Sequence, residues 1–181
     1  VEKAVELIKG TKKGALIADV GTGSGAVAVT LAVLLEEVRV YAIDLSREAL
    51  EVAAKNAALH GVADRVEFLE GNLLERLPEK IALDLITANL PYIPSAGISS
   101  LMAGVRDYEP HLALDGGQDG LDLYRRLIPR ARGVLCAGGH LLMEIGPGQG
   151  ALMKDILGRA WEARVLDDLA GRERLVVAKK R

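Results

Sequence analysis

The chain is poor in cysteine, histidine and aromatic residues. Its 181 residues include one cysteine and three histidines. A disulfide within the chain is therefore excluded, and the scattered His and Cys positions predict no metal site. The single cysteine, Cys136, lies in an apolar stretch and is predicted to belong to the core. With 3% aromatic residues, the core must be built from Ala, Val, Leu and Ile, which suits a buried parallel sheet covered by helices.

The sequence also lacks a membrane segment and a strong charge of either sign. No apolar run approaches the ~20 residues that a spanning helix needs, and no signal-peptide pattern opens the chain. We therefore expect no membrane contact and a cytoplasmic location. The formal net charge is −2, whereas a duplex-binding protein usually carries a basic stripe. The arginines at 125–132 are interpreted as a solvated helix face, so a nucleic-acid partner is not expected.

Apolar periodicity predicts strands and helices in alternation. Strands are predicted at 15–20, 38–43, 65–69, 83–88, 139–145, 163–166 and 174–178, and helices at 1–8, 25–35, 46–60, 121–135 and 149–157. Ala170 and Gly171 form a tight turn between the last two strands, which should therefore be antiparallel. This order predicts a single α/β domain over residues 1–181, with a seven-stranded, mostly parallel sheet, an antiparallel last strand and helices on both faces.

A glycine-rich segment at 21–25, Gly-Thr-Gly-Ser-Gly, lies between the first predicted strand and a helix. Glycines allow the backbone to turn tightly and to approach a ligand closely. Asp44 ends the second strand, where ligands of open α/β sheets bind, and its carboxylate can accept hydrogen bonds from both ribose hydroxyls of an adenosine. Asp19 is expected to anchor the loop. Because Gly21, Gly23 and Ala26 also fit the dinucleotide pattern G-x-G-x-x-G/A, a nicotinamide oxidoreductase is an alternative at this point.

The fourth predicted strand is followed by Asn89-Leu90-Pro91-Tyr92, at the start of a long stretch with little periodicity. An amide or exocyclic amine nitrogen is a poor nucleophile because its lone pair is delocalised, so methylation requires the NH₂ group to be held in place. The side-chain oxygen of Asn89 and the backbone oxygen of Leu90 can do this, since Pro91 biases Leu90 to an extended conformation. Tyr92 can pack against the planar acceptor. Fixed dipoles then stabilise the developing positive charge, and positioning supplies much of the remaining acceleration.

These motifs resemble those of class I methyltransferases that act on planar nitrogens, and the downstream residues resemble the HemK/PrmC family in particular. The motifs that carry the resemblance are Asp19 to Gly25, Asp44-Leu45-Ser46, Gly71-Asn72, Asn89 to Tyr92, Tyr108-Glu109-Pro110, Ala113-Leu114, Gly116-Gly117, Asp119-Gly120-Leu121, Tyr124-Arg125, Glu144-Ile145-Gly146, Gln149 and Gly171 to Arg174. They extend from the first predicted strand to the last, and their combination is highly specific.

The resemblance implies a Rossmann-like fold that uses S-adenosylmethionine and releases S-adenosylhomocysteine. The family methylates the glutamine side-chain amide of peptide chain release factors, so a release factor is the expected protein partner. The expected cofactor contacts are Gly21, Thr22, Gly23, Ser24, Gly25, Asp44, Asn72, Leu73 and Asn89. The expected catalytic residues are Asn89, Pro91 and Tyr92, and the expected substrate contacts are Asn89, Leu90, Pro91 and Tyr92.

The chain departs from the family pattern at several points. The family usually has Pro at the position of Leu90, and Asn-Leu-Pro-Tyr also occurs in enzymes that dimethylate adenines in ribosomal RNA. An N6-adenine methyltransferase acting on RNA or DNA is therefore an alternative. The family more often has Asp at the position of Asn72. Longer members carry an N-terminal helical domain that helps to recognise the release factor, and this domain is not expected here. Recognition could then depend on a helper protein. A cofactor-binding module that acts only within a complex is a further alternative.

Overall fold

The computed structural model of the chain describes residues 1–9, 14–102, 104 and 110–181. Its strands are β1 Ala15–Val20, β2 Val38–Asp44, β3 Val66–Glu70, β4 Leu83–Ala88, β5 Leu135–Glu144, β6 Trp161–Asp167 and β7 Glu173–Lys180. They form one seven-stranded sheet in the order β3-β2-β1-β4-β5-β7-β6. The pairs from β3 to β5 are parallel, whereas β7 is antiparallel to both β5 and β6. The predicted sheet is thereby confirmed.

Helices connect most of these strands. In the described part of the chain they are α1 Glu2–Ile8, α2 Ala26–Leu34, α3 Arg47–Leu59, α4 His111–Leu114, α5 Asp122–Val134 and α6 Gly150–Leu157, with 3-10 turns at Ser95–Ser100 and Gly158–Ala160. Each predicted helix is present, and Ser46 caps α3 by accepting a hydrogen bond from Ala49 N–H at 3.1 Å. The expected end of α1 at Gly10 lies outside the described residues. None of the helices described is long and apolar enough to cross a membrane.

Strand side chains alternate between two hydrophobic clusters, one on each face of the sheet. In β1, Ala15 and Ile17 belong to one cluster, and Ala18 and Val20 belong to the other. Residues of α1, α2 and α3 complete the first cluster, and residues of α5 and α6 complete the second. Because strand side chains alternate in direction, this division places helices on both faces, as predicted.

Three details of the core and the sheet differ from expectation. The core is mainly aliphatic, but Tyr124 is 0% exposed and Trp161 is 4% exposed, so two of the few aromatic residues belong to it. Cys136, predicted to lie in the core, is only half-buried. Its neighbour Leu135 points into the core, and successive side chains of a strand face opposite sides. The fifth strand begins at Leu135, ahead of its predicted start at 139.

Candidate active site

The carboxyl ends of β1, β2, β4 and β5 meet at one edge of the sheet. The parallel registers pair Val20 with both Ile43 and Ala88, and they pair Ala88 with Met143. The glycine loop (residues 21–25) follows β1, and the acceptor motif (residues 89–92) follows β4. The two segments that the sequence singled out therefore lie at the same edge, where open α/β sheets bind their ligands.

Asp19 anchors the glycine loop, as expected. It is 3% exposed, and its carboxylate accepts hydrogen bonds from the hydroxyls of Thr22 and Thr87, both at 2.7 Å, and from Ala28 N–H at 3.2 Å. Burial raises the pKa of Asp19, and the three hydrogen bonds oppose that shift. One buried carboxylate thus ties the loop to β4 and to the first turn of α2.

Close contacts require two of the loop glycines. Gly21 has a φ of 72°, and a Cβ atom on it would lie 2.9 Å from the backbone oxygen of Asn89. Gly25 has a φ of 80°, and its Cβ would lie 2.9 Å from the Cβ of Ala53 in α3. A Cβ on Gly23 would meet nothing within 4 Å. The loop therefore packs against the acceptor motif at Gly21 and faces open space at Gly23.

Asp44 lies beside the glycine loop and is half-buried. Its Oδ2 accepts a hydrogen bond from Gly23 N–H at 2.8 Å, and its Oδ1 accepts one from Ser46 N–H at 2.9 Å. A carboxylate has about four lone-pair sites, so both oxygens retain capacity for a ligand hydroxyl. The exposed Ser24 is held from α3, because the amide of Asn56 donates to its backbone oxygen at 2.8 Å.

Asn72 and Leu73 follow β3 on the Asp44 side of the site. The preceding Gly71 donates its N–H to the backbone oxygen of Asp44 at 2.9 Å, which holds the segment in place. Leu73 is 5% exposed and has a φ of 55°. This left-handed conformation is uncommon for residues other than glycine, and such strained residues cluster at ligand sites. Both residues therefore directly follow a residue that is hydrogen-bonded to the backbone of Asp44.

The acceptor motif exposes Asn89 and buries Leu90, which is 5% exposed. Leu90 N–H donates to the hydroxyl of Tyr124 at 3.3 Å, and this hydroxyl donates to the backbone oxygen of Glu144. Burial raises the pKa of Tyr124 far above its ordinary value, so the phenol keeps its proton. The turn after β4 is thus connected through α5 to the end of β5.

Tyr92 is half-buried and its hydroxyl is fixed by two charged side chains. It donates to Glu144 Oε1 at 3.3 Å and accepts from Arg174 at 3.1 Å. Burial and the negative charge of Glu144 raise the pKa of Tyr92, against the opposing effect of Arg174. A Cβ on Gly146 would lie 3.3 Å from Tyr92 Cδ2, so the ring packs against the backbone after β5. The tyrosine ring is therefore held from both β5 and β7.

Gln149 joins three parts of the site. Its Nε2 donates to the backbone oxygens of Tyr92, at 2.9 Å, and Asp119, at 3.0 Å, while its Oε1 accepts from Gly146 N–H at 2.8 Å. Gly120 has a φ of 81°, and a Cβ on it would overlap the backbone oxygen of Tyr92. The segment before α5 is therefore packed tightly on the acceptor motif.

Sequence reasoning from side-chain chemistry did not assign roles to Tyr124, Gln149 and Arg174. Each belongs to a motif that carried the family resemblance, and this membership was the one available signal. Their contacts with the acceptor motif span 34 to 82 residues of sequence, a separation that local patterns do not show. Tyr108 and Glu109, also part of that resemblance, lie outside the described residues.

Metal binding has no support in the described residues. No group of three or more His, Cys, Asp or Glu side chains among them is arranged to hold an ion. The buried carboxylate of Asp19 is already occupied by hydroxyl and N–H donors, and Glu144 lies opposite Arg174.

Comparisons with known proteins place the chain among the methyltransferases. A family model described as a methyltransferase domain matches residues 11–147. The chain is 51% identical to a release factor glutamine methyltransferase from Moorella thermoacetica, over 91% of this chain and 59% of the relative. It is 45% identical to one from Bradyrhizobium diazoefficiens, over 99% of this chain and 62% of that protein. The chain thus spans about three fifths of the length of these curated relatives.

The fold is also shared with solved methyltransferase structures. The crystal structure of TrmN from Thermus thermophilus superposes with a TM-score of 0.69 at 25% identity, covering 99% of this chain and 48% of that one. The expected class I methyltransferase fold is thereby confirmed, and the names of the curated relatives do not favour the nucleic-acid alternative. With its matching family model and its shared sheet, the chain belongs to the methyltransferase-domain family.

Proposed function

We propose that this chain transfers a methyl group from S-adenosylmethionine to the side-chain amide nitrogen of a glutamine in a peptide chain release factor. The observation that carries the proposal is the contact between the glycine loop and the acceptor motif. Gly21 lies so close to Asn89 that even a Cβ atom would come within 2.9 Å of the Asn89 backbone oxygen. A donor held by the loop and an amide held by the motif would therefore be neighbours.

The residues around the glycine loop fit S-adenosylmethionine. The open space at Gly23 suits the amino-acid part of the cofactor. The lone pairs that Asp44 retains suit the hydroxyls of its ribose. Asn72 and Leu73 would border the adenine, and Gly21, Thr22, Ser24, Gly25 and Asn89 would complete the contacts. When bound, the cofactor supplies an electrophilic methyl group. The role of the protein is then to bring one nitrogen lone pair in line with it.

The acceptor motif can orient a primary amide without a strong base. The exposed side-chain oxygen of Asn89 and the backbone oxygen of Leu90 are the two acceptors for the NH₂ group. Tyr92, held in place by Glu144 and Arg174, would pack against the amide plane, and Pro91 would stiffen the turn. The positive charge that develops on nitrogen is stabilised by these fixed dipoles, and the nitrogen then loses one proton to solvent.

The choice of a release factor rests on the curated relatives. Proteins that are 51% and 45% identical are named release factor glutamine methyltransferases, and the net charge of −2 does not suit a nucleic-acid substrate. We infer that residues 1–181 act as one catalytic domain in the cytoplasm, where release factors work. We also infer that docking of the release factor draws on further contacts, from a helper protein or from a helical domain like that of longer family members.

Two variants test the proposed site. Titration calorimetry with S-adenosylhomocysteine should show micromolar binding that Asp44→Ala weakens about tenfold or more, the effect of losing a charged acceptor. Asn89→Ala should keep this affinity but lose methyl transfer to a full-length release factor. Asp64→Ala, at an exposed carboxylate after α3, serves as the matched control and should change neither quantity. Undiminished transfer by the Asn89 variant, or transfer to RNA instead of the release factor, would contradict the proposal.

A further inference from the structure

The hydroxyl of Tyr124 occupies a buried position between two backbone groups of the site. Tyr124 extends from α5 and is 0% exposed. Its oxygen accepts a hydrogen bond from the Leu90 N–H at 3.3 Å, and its O–H donates one to the backbone oxygen of Glu144. A buried backbone N–H or carbonyl that loses its partner destabilises the fold, because its lost contact with water is no longer compensated. This hydroxyl therefore joins the buried Leu90 N–H, after the end of β4, to the backbone oxygen of Glu144, at the end of β5.

The bridge depends on the residue at position 90. A proline there has no N–H and cannot donate to Tyr124. Leu90 provides that N–H and also buries its side chain, since a Cβ on Gly21 would lie 3.1 Å from Leu90 Cδ2. Leu90 is thus held through its N–H by α5 and through its side chain by the glycine loop.

We propose that Tyr124 is a positioning residue, whose hydroxyl fixes the Leu90 backbone and thereby the direction of the Leu90 carbonyl. With the N–H and the side chain of Leu90 both fixed, and with Pro91 restricting its ψ angle, the carbonyl has little freedom to turn. The proposal rests on the proposed function, in which this carbonyl accepts a hydrogen bond from the substrate amide. A misplacement of about 1 Å at such a site can reduce a rate about 100-fold.

The kinetic test is Tyr124→Phe, which removes one oxygen atom and retains the ring. With a full-length release factor as substrate, kcat should fall about tenfold or more, while KM for S-adenosylmethionine changes less than about twofold. Tyr41→Phe is the matched control, because Tyr41 lies in β2 and its hydroxyl is outside this network; it should retain the wild-type kcat. A Tyr124→Phe variant with wild-type kcat would overturn the proposal.

A double-mutant cycle separates positioning from general loss of structure. If the hydroxyl acts through the Leu90 N–H, then Tyr124→Phe should lower kcat less than about twofold in a Leu90→Pro background, since that N–H is already gone. An undiminished tenfold effect in that background would show that Tyr124 acts by another route.

Amide hydrogen exchange supplies a readout that does not require activity. In the wild-type protein the Leu90 amide should exchange slowly, and Tyr124→Phe should accelerate its exchange about tenfold or more without accelerating that of the β1 amides. Unchanged protection of Leu90 would overturn the inference. A wild-type chain that methylates no release factor would contradict the proposed function alone, because the exchange measurement would still decide whether Tyr124 holds Leu90.

Discussion

At the scale of single residues, the site depends on the absence of a Cβ atom at Gly21. Gly21 combines a φ of 72° with a backbone approach to Asn89 that leaves no room for a Cβ. Gly14 has nearly the same backbone, with a φ of 74°, but a Cβ on it would meet nothing within 4 Å. The two positions therefore separate backbone strain from steric exclusion.

Alanine substitutions at these two glycines should differ in their effect. Gly14→Ala should lower the free energy of unfolding by about 1–2 kcal/mol, the cost of a left-handed backbone. Gly21→Ala should lose about 1–3 kcal/mol more, because its Cβ overlaps Asn89 and Leu90. Urea unfolding of both variants measures this difference, and methyl transfer should fall in the Gly21 variant alone. Equal losses of stability would show that the loop can move away from the acceptor motif without cost.

At the scale of elements, the segment before α5 is held by an ion pair as well as by its glycines. Arg125 donates to both carboxylate oxygens of Asp119, at 2.8 and 2.5 Å, and Leu121 N–H donates to Asp119 Oδ1 at 3.1 Å. The backbone oxygen of the same residue accepts from Gln149. The hydrogen bond from Arg125 lowers the pKa of Asp119 from 3.8 to about 2.

This lowered pKa predicts a pH dependence of stability. The folded state holds the Asp119 carboxylate more strongly than the unfolded state does, so the stabilisation is present above pH 3.8 and is lost as the pH falls through about 2. Because solvent screens this exposed pair, its contribution to stability should be small. The difference in unfolding free energy between wild type and Asp119→Asn should shrink over that range.

An arginine variant checks that this pH dependence comes from the ion pair. Arg125→Met should show the same loss at neutral pH, and the double variant should lose little more than either single one. Additive losses would indicate that the two side chains stabilise the protein independently.

Most helices and strands could be predicted from the sequence because their apolar residues recur at the spacing of a helix or a strand. The sequence missed the start of β5, where Gly138 and Gly139 interrupt the apolar pattern and Gly138 has a φ of 76°. It also missed the 3-10 turn Ser95–Ser100, which lies in a stretch without periodicity. Both are stabilised by the sheet or by neighbouring loops, and local sequence carries no record of such contacts.

The candidate site was predictable to the extent that its residues end strands. Asp44 and Asn89 follow apolar runs, so their place at the edge of a parallel sheet follows from topology. Tyr124 instead reaches the site from α5. The helical periodicity of that segment predicts only that Tyr124 is a core residue. Its hydrogen bonds depend on the packing of α5 against the sheet, which the sequence does not specify.

At the scale of the whole molecule, cofactor binding should increase the stability of the folded state by a measurable amount. A ligand at 100 times its dissociation constant stabilises the folded state by about 2.7 kcal/mol. For a domain of this size, S-adenosylhomocysteine should then raise Tm by about 5–10 °C. Trp161 is the single tryptophan and is 4% exposed, so its fluorescence reports global unfolding.

The Asp44→Ala variant tests whether that shift comes from the proposed site. At the same ligand concentration, a tenfold weaker affinity should reduce the stabilisation to about half. An equal rise of Tm in both proteins would mean that the ligand binds elsewhere.

The position of β7 has a consequence for the order in which the protein is made. β7 follows every other strand in the chain, yet it lies between β5 and β6 and antiparallel to both. When the ribosome has just synthesised β6, Asp19, the glycine loop, Asp44 and the acceptor motif have already been synthesised. At that point β6 still lacks β7, the strand with which it pairs. Arg174, which binds the Tyr92 hydroxyl, is still to come. The residues proposed to hold the cofactor are therefore synthesised before Arg174, and we expect the Tyr92 ring to be fixed only when β7 enters the sheet between β5 and β6.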